Sequence, residues 1–433
     1  MFEFLEKDNS QEWKIVVYFG ERKEINILFR LFIFVIFLWL FIIAISTLPW
    51  IVLALIYAMF KLRNRFNNLS SSSSIERRLR YFIKANKLYE IEIIDRKDLF
   101  GNSVDQEKVI TNSVRLAYLE DDNFFRIRAY KKADIFNDKM NTFDSGLSAL
   151  FGLPLYNKVD TVRYCEYEFK KKLDKRIIMS SSERKRYNES THIPLNNNLS
   201  WNVQKQPHLL LAGVTGGGKT TFLNYLIIEM KKMRGIVYIC DPKRSDLASI
   251  QHIWGKEYVA SEANTIAKLT REVKEEMMNR FRDYKENPEK FSYGASYRDY
   301  GLHPIFLIFD ELGAFRASAD KKVFAETMSN LTEIILKGRE MGVFVCLATQ
   351  QPNAQNIPTE MRDNLSVRVA LGNMSNEAYR MIFGDLEGLE TVMGQGIGYI
   401  FLDGLGWSTP KYFETPFLDY EIFDFIEELK CYS

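Results

Sequence analysis

A run of nine consecutive residues carries the pattern G-x-x-x-x-G-K-[ST], which indicates phosphate chemistry. The residues are Gly213, Val214, Thr215, Gly216, Gly217, Gly218, Lys219, Thr220 and Thr221. Glycines allow backbone N–H groups to turn inward around a phosphate without Cβ clashes. Lys219 brings a positive charge to the β- and γ-phosphates, and the Thr220 hydroxyl is a ligand for Mg²⁺. We therefore predict that this run binds a nucleoside triphosphate, ATP, together with Mg²⁺.

The elements around the run match the setting that this motif requires. An apolar stretch at His208–Ala212 predicts a strand before the loop, and residues 222–232 have a helical pattern after it. The helix would direct the positive end of its dipole at the bound anion. The plain alternative is a glycine-rich turn between a strand and a helix with an incidental lysine, and the strand–loop–helix context argues against it.

Two further apolar stretches end in residues that can act on a phosphate. The stretch Ile305–Phe309 predicts a buried strand, after which Asp310 would hold a Mg²⁺ water and Glu311 would polarise the attacking water as general base. The stretch Val343–Ala348 leads to Gln350, whose amide would sense the γ-phosphate or orient the water. A Gln at a strand end that makes only local hydrogen bonds is the alternative for Gln350.

Composition sets broad limits. The chain has 433 residues, 46% of them hydrophobic, which predicts two or three domains with a real core. Its 58 basic and 56 acidic residues nearly cancel, so the net charge does not indicate what kind of partner the protein binds. The four cysteines are scattered without a C-x-x-C spacing, which predicts reduced, buried thiols facing a cytoplasm. The four histidines are equally dispersed, so no zinc site is suggested.

A membrane segment is expected near the amino terminus. No charged residue occurs from Leu31 to Phe60, a run longer than the roughly 20 residues that cross a bilayer. Pro49 lies in its middle, so the run is either a hairpin of two short helices or one long kinked helix. The basic residues that follow place the rest of the chain in the cytoplasm under the positive-inside rule; they are Lys61, Arg63, Arg65, Arg77, Arg78 and Arg80.

The expected organisation has six parts. They are an N-terminal segment (1–26), the transmembrane segment (27–62), a Ser-rich linker (63–74), a small α+β or basic module (75–190), an ATPase motor (191–418) and a C-terminal helix (419–433). In the motor, apolar runs alternate with amphipathic helices, which is typical of an α/β fold with a parallel sheet. Its strands are expected at 208–212, 236–240, 305–309, 343–348, 367–371 and 397–402, and its helices near 220–233, 264–286, 321–341 and 376–383.

The motor resembles the FtsK/SpoIIIE DNA translocases over roughly residues 200–415. Besides the phosphate loop, the resemblance rests on Asp241-Pro242-Lys243, Asp310-Glu311, Gly338-Arg339-Glu340-Met341-Gly342, Ala348-Thr349-Gln350-Gln351-Pro352 and Gly394-Gln395-Gly396. It implies a RecA-like motor that assembles as a homo-oligomer, usually a hexameric ring, around DNA. It also implies that Arg339 is an arginine finger that reaches a neighbour's ATP, with Arg368 a weaker second candidate. Lys321 and Lys322 fall near the implied pore.

A single motor behind a short membrane anchor resembles the TcpA-like coupling proteins of Gram-positive conjugative elements. That layout implies a transmembrane hairpin and a small α+β module ahead of the motor, at the cell membrane. The implied function is an ATP-driven DNA translocase that feeds duplex or single-stranded DNA to a conjugation channel, with relaxase and channel proteins as partners. A type VII protein-secretion ATPase and a chromosome-segregation translocase are the alternatives.

Overall fold

The structure is a computed structural model that describes residues 13–18, 74–97, 103–172, 174–180, 187–188, 190–384, 389 and 391–432. The expected transmembrane segment at 27–62 and nearly all of the linker at 63–74 lie outside the described residues. Among the helices that the structure does describe, none has both the length and the apolar character needed to span a membrane. The chain divides into two compact units, with the division after Lys171.

The first unit contains an antiparallel sheet and a separate two-stranded ribbon. Its helices are α1 (Ser74–Ala85) and α2 (Asp144–Phe151), and its strands are β1 (Lys14–Val16), β2 (Tyr89–Lys97), β3 (Ser103–Ser113), β4 (Leu116–Glu120), β5 (Phe124–Tyr130), β6 (Leu155–Asp160) and β7 (Tyr164–Lys170). The five-stranded sheet has the order β1-β4-β5-β7-β6, and β2 pairs with β3.

The central strands of this sheet alternate buried residues with residues on the opposite face. In β5 and β7 every second residue is buried, as expected for a sheet with one face on a core. On the other face Arg126 pairs with Glu168 at 2.7 Å and Arg128 pairs with Glu166 at 2.6 Å across the two strands. These cross-strand ion pairs set the register together with the buried residues.

The second unit is built on an eight-stranded sheet. Its strands are β11 (Leu209–Gly213), β12 (Ile236–Cys240), β13 (Val259–Ala260), β14 (Ile305–Asp310), β15 (Val343–Thr349), β16 (Val367–Leu371), β17 (Ile397–Leu402) and β18 (Lys411–Glu414). Their order in the sheet is β13-β12-β14-β15-β11-β16-β17-β18. All neighbours from β13 to β16 are parallel, so the carboxyl ends of β11, β14 and β15 share one edge. Ligands bind at this edge in open α/β sheets.

Helices cover both faces of the sheet. They are α3 (Lys219–Lys232), α4 (Gln251–Trp254), α5 (Ala263–Arg280), α6 (Leu312–Ser318), α7 (Lys321–Met341), α8 (Thr359–Arg362), α9 (Asn376–Phe383) and α10 (Phe425–Lys430). Successive residues of a strand point to opposite faces, so Leu209 and Leu211 join one core while Leu210 and Ala212 join the other. The short strands β8 (Ile178–Met179), β9 (His192–Pro194), β10 (Ser200–Asn202) and β19 (Phe417–Leu418) form two small additional sheets.

The sheet differs from the expected parallel sheet at one side. β17 runs antiparallel to β16, and β18 runs antiparallel to β17, so the motor sheet is mixed. Strand β11 begins at Leu209 because His208 has a left-handed φ of 62°, which interrupts the extended backbone. Helix α5 ends at Arg280, ahead of the expected residue 286, and Phe281–Lys285 forms a wider π-helical turn.

Two boundaries also differ from the expectation. Residues after Lys171 group with the motor, because β8 pairs in parallel with β19 and the Trp201 side chain is fully buried in the motor core. The C-terminal helix spans only Phe425–Lys430. Asp424 caps this helix by accepting hydrogen bonds from the N–H groups of Ile426 and Glu427.

Candidate active site

The glycine-rich loop leaves β11 at Gly213 and enters α3 at Lys219. Gly216 and Gly218 have φ values of 75° and 96°, in the left-handed region that glycine enters without steric cost. A Cβ on Gly216 would meet no atom within 4 Å, so the tip of the loop is open. The sequence of glycines therefore folds into the curved backbone that a phosphate requires.

A second segment supports the inner side of the loop. The Gly396 N–H donates a hydrogen bond to Gly217 O at 2.9 Å, and the Val214 N–H donates to Leu371 O at 3.2 Å. A Cβ on Gly218 would lie 2.6 Å from Gly396 N, closer than real contacts allow. Gly218 is thus required both by its backbone angle and by the approach of the Gly394–Gly396 segment.

Lys219 meets the two carboxylates that follow β14. Its Nζ lies 3.1 Å from Asp310 Oδ1 and 3.5 Å from Glu311 Oε2. All three residues are buried, with 9%, 5% and 4% of their surfaces exposed. The loop strand and the acidic strand are separated by β15, so this meeting depends on the order of the sheet.

Glu311 is the most heavily hydrogen-bonded residue of the site. Its carboxylate accepts from Lys243 Nζ at 3.1 Å, from Thr349 Oγ1 at 3.1 Å and from the Gln350 N–H at 3.1 Å. The Glu311 backbone has a left-handed φ of 65° at the start of α6, a strained conformation for a residue with a side chain. Strain held by this many partners is typical of functional positions.

The two carboxyl groups have pKa values that are shifted in opposite directions. Burial raises the pKa of Asp310, and the nearby Lys219 only partly offsets this. Burial also acts to raise the pKa of Glu311, but Lys219, the Gln350 N–H and Lys243 outweigh it, so that pKa is lowered. Glu311 is therefore ionised at neutral pH, as a general base must be.

The residues present fit MgATP. The loop offers an open glycine backbone and a buried lysine ammonium, and Thr220 is exposed at the first turn of α3. Within the described residues no group of three or more His, Cys, Asp or Glu side chains forms a metal cage. Mg²⁺ in such sites takes one or two protein oxygens plus phosphate and water, which Thr220 and Asp310 would supply.

The remaining predicted residues take different positions. The backbone of Gln350 contacts Glu311, as described above, and its side chain is half-buried at the carboxyl end of β15. Arg339 is exposed near the end of α7, where its Nε donates to Gln204 O at 3.0 Å. Arg339 precedes β15 and so lies at the amino edge of the sheet. The seven residues of β15 separate it from Glu311 by about 20 Å at ~3.3 Å per residue.

The other charged residues predicted to be functional either contact nearby residues of the motor or are exposed to solvent. Arg368 donates to Leu365 O at 3.0 Å and lies 3.7 Å from an oxygen of Asp403. Lys321 and Lys322 are exposed at the first turn of α7. No contact of these lysines defines a DNA path.

The contacts of Lys243 and Thr349 with Glu311 were not foreseen from the sequence. Both occur in the motifs that carried the family resemblance, but only the fold shows that each binds the Glu311 carboxylate. Arg176 was missed as well. Its guanidinium donates to Thr415 and would lie 2.5 Å from a Cβ on Gly396, beside the segment that supports the loop.

One short motif matches a guanine reader in letters only. Residues Asn157-Lys158-Val159-Asp160 spell N-K-x-D, but they form β6 of the first unit. Lys158 pairs with Asp144 at 2.9 Å, and Asp160 pairs with Lys131 at 2.6 Å. These side chains are used in ion pairs of that sheet, and the site retains its interpretation as an ATP site.

The sheet order, the glycine loop and the buried Lys219–Asp310–Glu311 group define a P-loop ATPase. The model of the FtsK/SpoIIIE family matches residues 190–299. The FtsK domain-containing protein YdcQ of Bacillus subtilis (strain 168) is 33% identical over 309 residues, which cover 70% of this chain and 62% of that protein. The DNA translocase FtsK of Corynebacterium glutamicum is 29% identical over 230 residues, which cover 48% of this chain and 24% of that protein.

Two solved structures are similar to parts of this chain. The pCW3 conjugation coupling protein TcpA has a TM-score of 0.47 at 16% identity, covering 74% of this chain and 94% of that chain. EssC (ATPases 2 and 3) from Geobacillus thermodenitrificans has a TM-score of 0.45 at 14% identity, covering 60% and 50%. Residues 190–299 therefore match the FtsK/SpoIIIE family, and the similarity to YdcQ extends over a longer part of the chain. The chain spans less than two thirds of the length of the curated relatives it matches.

Proposed function

We propose that this protein is a membrane-anchored ATPase that moves DNA and delivers it to a conjugative transfer channel. The observation that carries the ATPase part is the buried group formed by Lys219, Asp310 and Glu311 at the carboxyl edge of the sheet. Similarity to the family supports DNA as the cargo, because relatives such as the FtsK of Corynebacterium glutamicum are named DNA translocases.

The residues of the site have separate tasks in hydrolysis. Bound MgATP supplies the γ-phosphoryl group and the metal charge. Glu311 accepts a proton from the attacking water, while Lys243 and the Gln350 N–H hold its carboxylate in place and ionised. Lys219 already lies against both carboxylates and neutralises charge between them and the phosphates.

Arg339 is proposed to act on a neighbouring subunit. Its position at the amino edge of β15 places it far from its own Glu311, whereas the loop and carboxylates lie at the opposite edge. An exposed arginine that cannot reach its own site can supply transition-state charge to another subunit's site. This makes hydrolysis dependent on assembly, and a hexameric ring is the assembly we propose.

The membrane and conjugation parts of the proposal rest on sequence layout. The uncharged run from Leu31 to Phe60 and the basic residues after it support an anchor with the motor in the cytoplasm. A motor behind a short anchor supports delivery of DNA to a channel at the membrane, with relaxase and channel proteins as partners. A protein-secretion ATPase is the alternative.

The test is ATP turnover by the full chain in lipid nanodiscs, with duplex DNA, single-stranded DNA or no DNA added. We expect DNA to stimulate turnover, and we expect the Lys219→Ala variant to show no turnover under any condition. If a secreted protein stimulated ATP turnover and neither form of DNA did, the protein would instead be assigned as a protein-secretion ATPase. Turnover retained in Lys219→Ala would refute the site itself.

A further inference from the structure

A groove at the edge of the motor sheet opposite the phosphate loop has no role in the ATPase site. Its larger part is a cavity of about 480 Å³ beside Ile236 and His303, which lie at the amino ends of β12 and β14. An adjoining cavity of about 190 Å³ shares Arg234 and His303 with it. Aromatic and basic side chains dominate the walls; they include Tyr187, Lys231, Trp254, Tyr258, Arg298 and Tyr432.

Two cations of this groove lie over aromatic rings. Lys231 Nζ lies 5.0 Å from the centre of the Trp254 ring, and the Arg234 guanidinium lies 5.0 Å from the centre of the Tyr187 ring. No Asp or Glu is among the described residues that line either cavity. The described part of the chain also gives Lys231 and Arg234 no carboxylate partner, so their N–H groups remain available to an anion.

The backbone holds these side chains in place. Arg234 has a left-handed φ of 58°, and its N–H donates to Lys231 O at 2.9 Å. The Asn188 N–H donates to Lys232 O at 2.8 Å, which ties the segment carrying Tyr187 to the end of α3. The left-handed backbone of Arg234 is uncommon for a residue with a side chain, and it indicates that the position of this side chain matters.

One polar atom in the wall has no explanation within the fold. The Nε1 atom of Trp254 is buried and lacks an acceptor among the described residues. Buried indole N–H groups normally find an acceptor, so this donor is not accounted for by contacts of the described residues. The groove therefore combines aromatic rings with two cations that have no carboxylate partner among the described residues.

We propose that this groove binds a nucleobase together with its phosphate, presented by an unpaired nucleic-acid strand or by a free nucleotide. Bases stack on aromatic side chains with little sequence preference, and lysine and arginine hold the adjoining phosphates. A duplex keeps its bases stacked on one another, so it cannot offer a base to Trp254 or Tyr258. The groove is thus a second nucleotide-recognising site, separate from the phosphate loop.

The test uses the full chain carrying Lys219→Ala, so that the phosphate loop does not contribute. Binding of a fluorescent oligothymidylate is measured by anisotropy at several salt concentrations. Two variants are compared in this background, Lys231→Gln with Arg234→Gln and a control, Lys232→Gln with Lys268→Gln. The control removes the same charge from lysines that are paired with Glu229 and Glu272.

We expect the groove variant to bind the oligonucleotide about tenfold more weakly, with a shallower salt dependence by roughly 0.7 per lost contact for a single strand. The control variant is expected to bind within about twofold of the parent, as surface charges away from the contact do. Equal thermal melting of both variants excludes misfolding as the cause. Equal loss in the control, or no loss in the groove variant, would overturn the proposal.

Competition for the bound oligonucleotide shows whether the groove takes its base from a strand or from a free nucleotide. Displacement of the oligonucleotide by ADP supports the proposal with a free nucleotide as occupant, and no displacement supports it with a strand. Displacement by blunt duplex as effective as by unlabelled oligothymidylate would overturn it. Since no step requires ATP turnover, the outcome is independent of the proposed function: the groove variant can lose strand binding even if DNA fails to stimulate hydrolysis.

Discussion

Replacing Glu311 with Gln tests the central assignment of the active site. The substitution keeps the size of the side chain but removes the charge that accepts the proton of the attacking water. General bases contribute about 10²- to 10⁴-fold in rate, equivalent to about 3–5 kcal/mol of transition-state free energy. We therefore expect turnover to fall by at least about 100-fold while ATP binding, which uses the loop, is retained.

The stability of this variant follows from the same contacts. Removing one partner of a buried ion pair costs roughly 3–5 kcal/mol when the other charge is left alone. Here Lys219 keeps Asp310 at 3.1 Å, and Lys243, with 39% of its side chain exposed, can turn to water. We expect a smaller loss of unfolding free energy, on the order of 1–2 kcal/mol, comparable to one charge-assisted hydrogen bond.

The assay measures steady-state turnover, equilibrium binding of a fluorescent ATP analogue and thermal melting of the same preparation. Glu326→Gln is the control, because that glutamate is exposed and pairs with Arg271 at the surface of the motor. Turnover within about threefold of the parent would refute Glu311 as the base, since a lost base costs far more. Loss of ATP binding would instead mean that Glu311 serves the architecture of the loop.

Three further outcomes are expected. Lys243→Gln raises the pKa of Glu311 by removing a cation, so the acid limb of the pH–rate profile moves to higher pH; Lys243→Arg, which keeps the charge, should not move it. Gly218→Ala destabilises the protein more than Gly216→Ala in chemical denaturation, because both have positive φ but only the first meets backbone within 3 Å; equal losses would contradict the contact argument. Arg339→Ala abolishes turnover but not ATP binding, and mixing it with Glu311→Gln subunits restores part of the activity; failure of this mixed assembly would count against action between subunits.

The lowered pKa of Glu311 also has a consequence for stability. A carboxyl group whose pKa is lower in the folded protein stabilises the fold above its unfolded pKa, and this contribution is lost as pH falls through the folded value. Asp310 has a raised pKa and contributes in the opposite sense. Chemical denaturation at falling pH should therefore show a smaller acid loss in Glu311→Gln than in the parent.

Local pattern was enough to predict the central elements of the motor. The strands at Ile236–Cys240, Val367–Leu371 and Ile397–Leu402 and the helix at Asn376–Phe383 occur with the expected bounds. Apolar runs and glycine punctuation are local properties, and a buried parallel strand is apolar along its whole length. The phosphate loop could also be predicted from local sequence, because its glycines and lysine lie in one short run between a strand and a helix.

Tertiary structure alone decided how distant residues meet. The insertion of β15 between β11 and β14 brings Thr349 and Gln350 to Glu311, and the loop after β12 brings Lys243 to the same carboxylate. The antiparallel pairing of β17 with β16 and the placement of Gly396 against Gly217 are also long-range contacts. Strand order is set by the burial of whole faces, a property of the assembled sheet that no stretch of sequence contains by itself. Residue types and spacing therefore determined the chemistry available to this protein, whereas the fold determined which side chains meet to perform it.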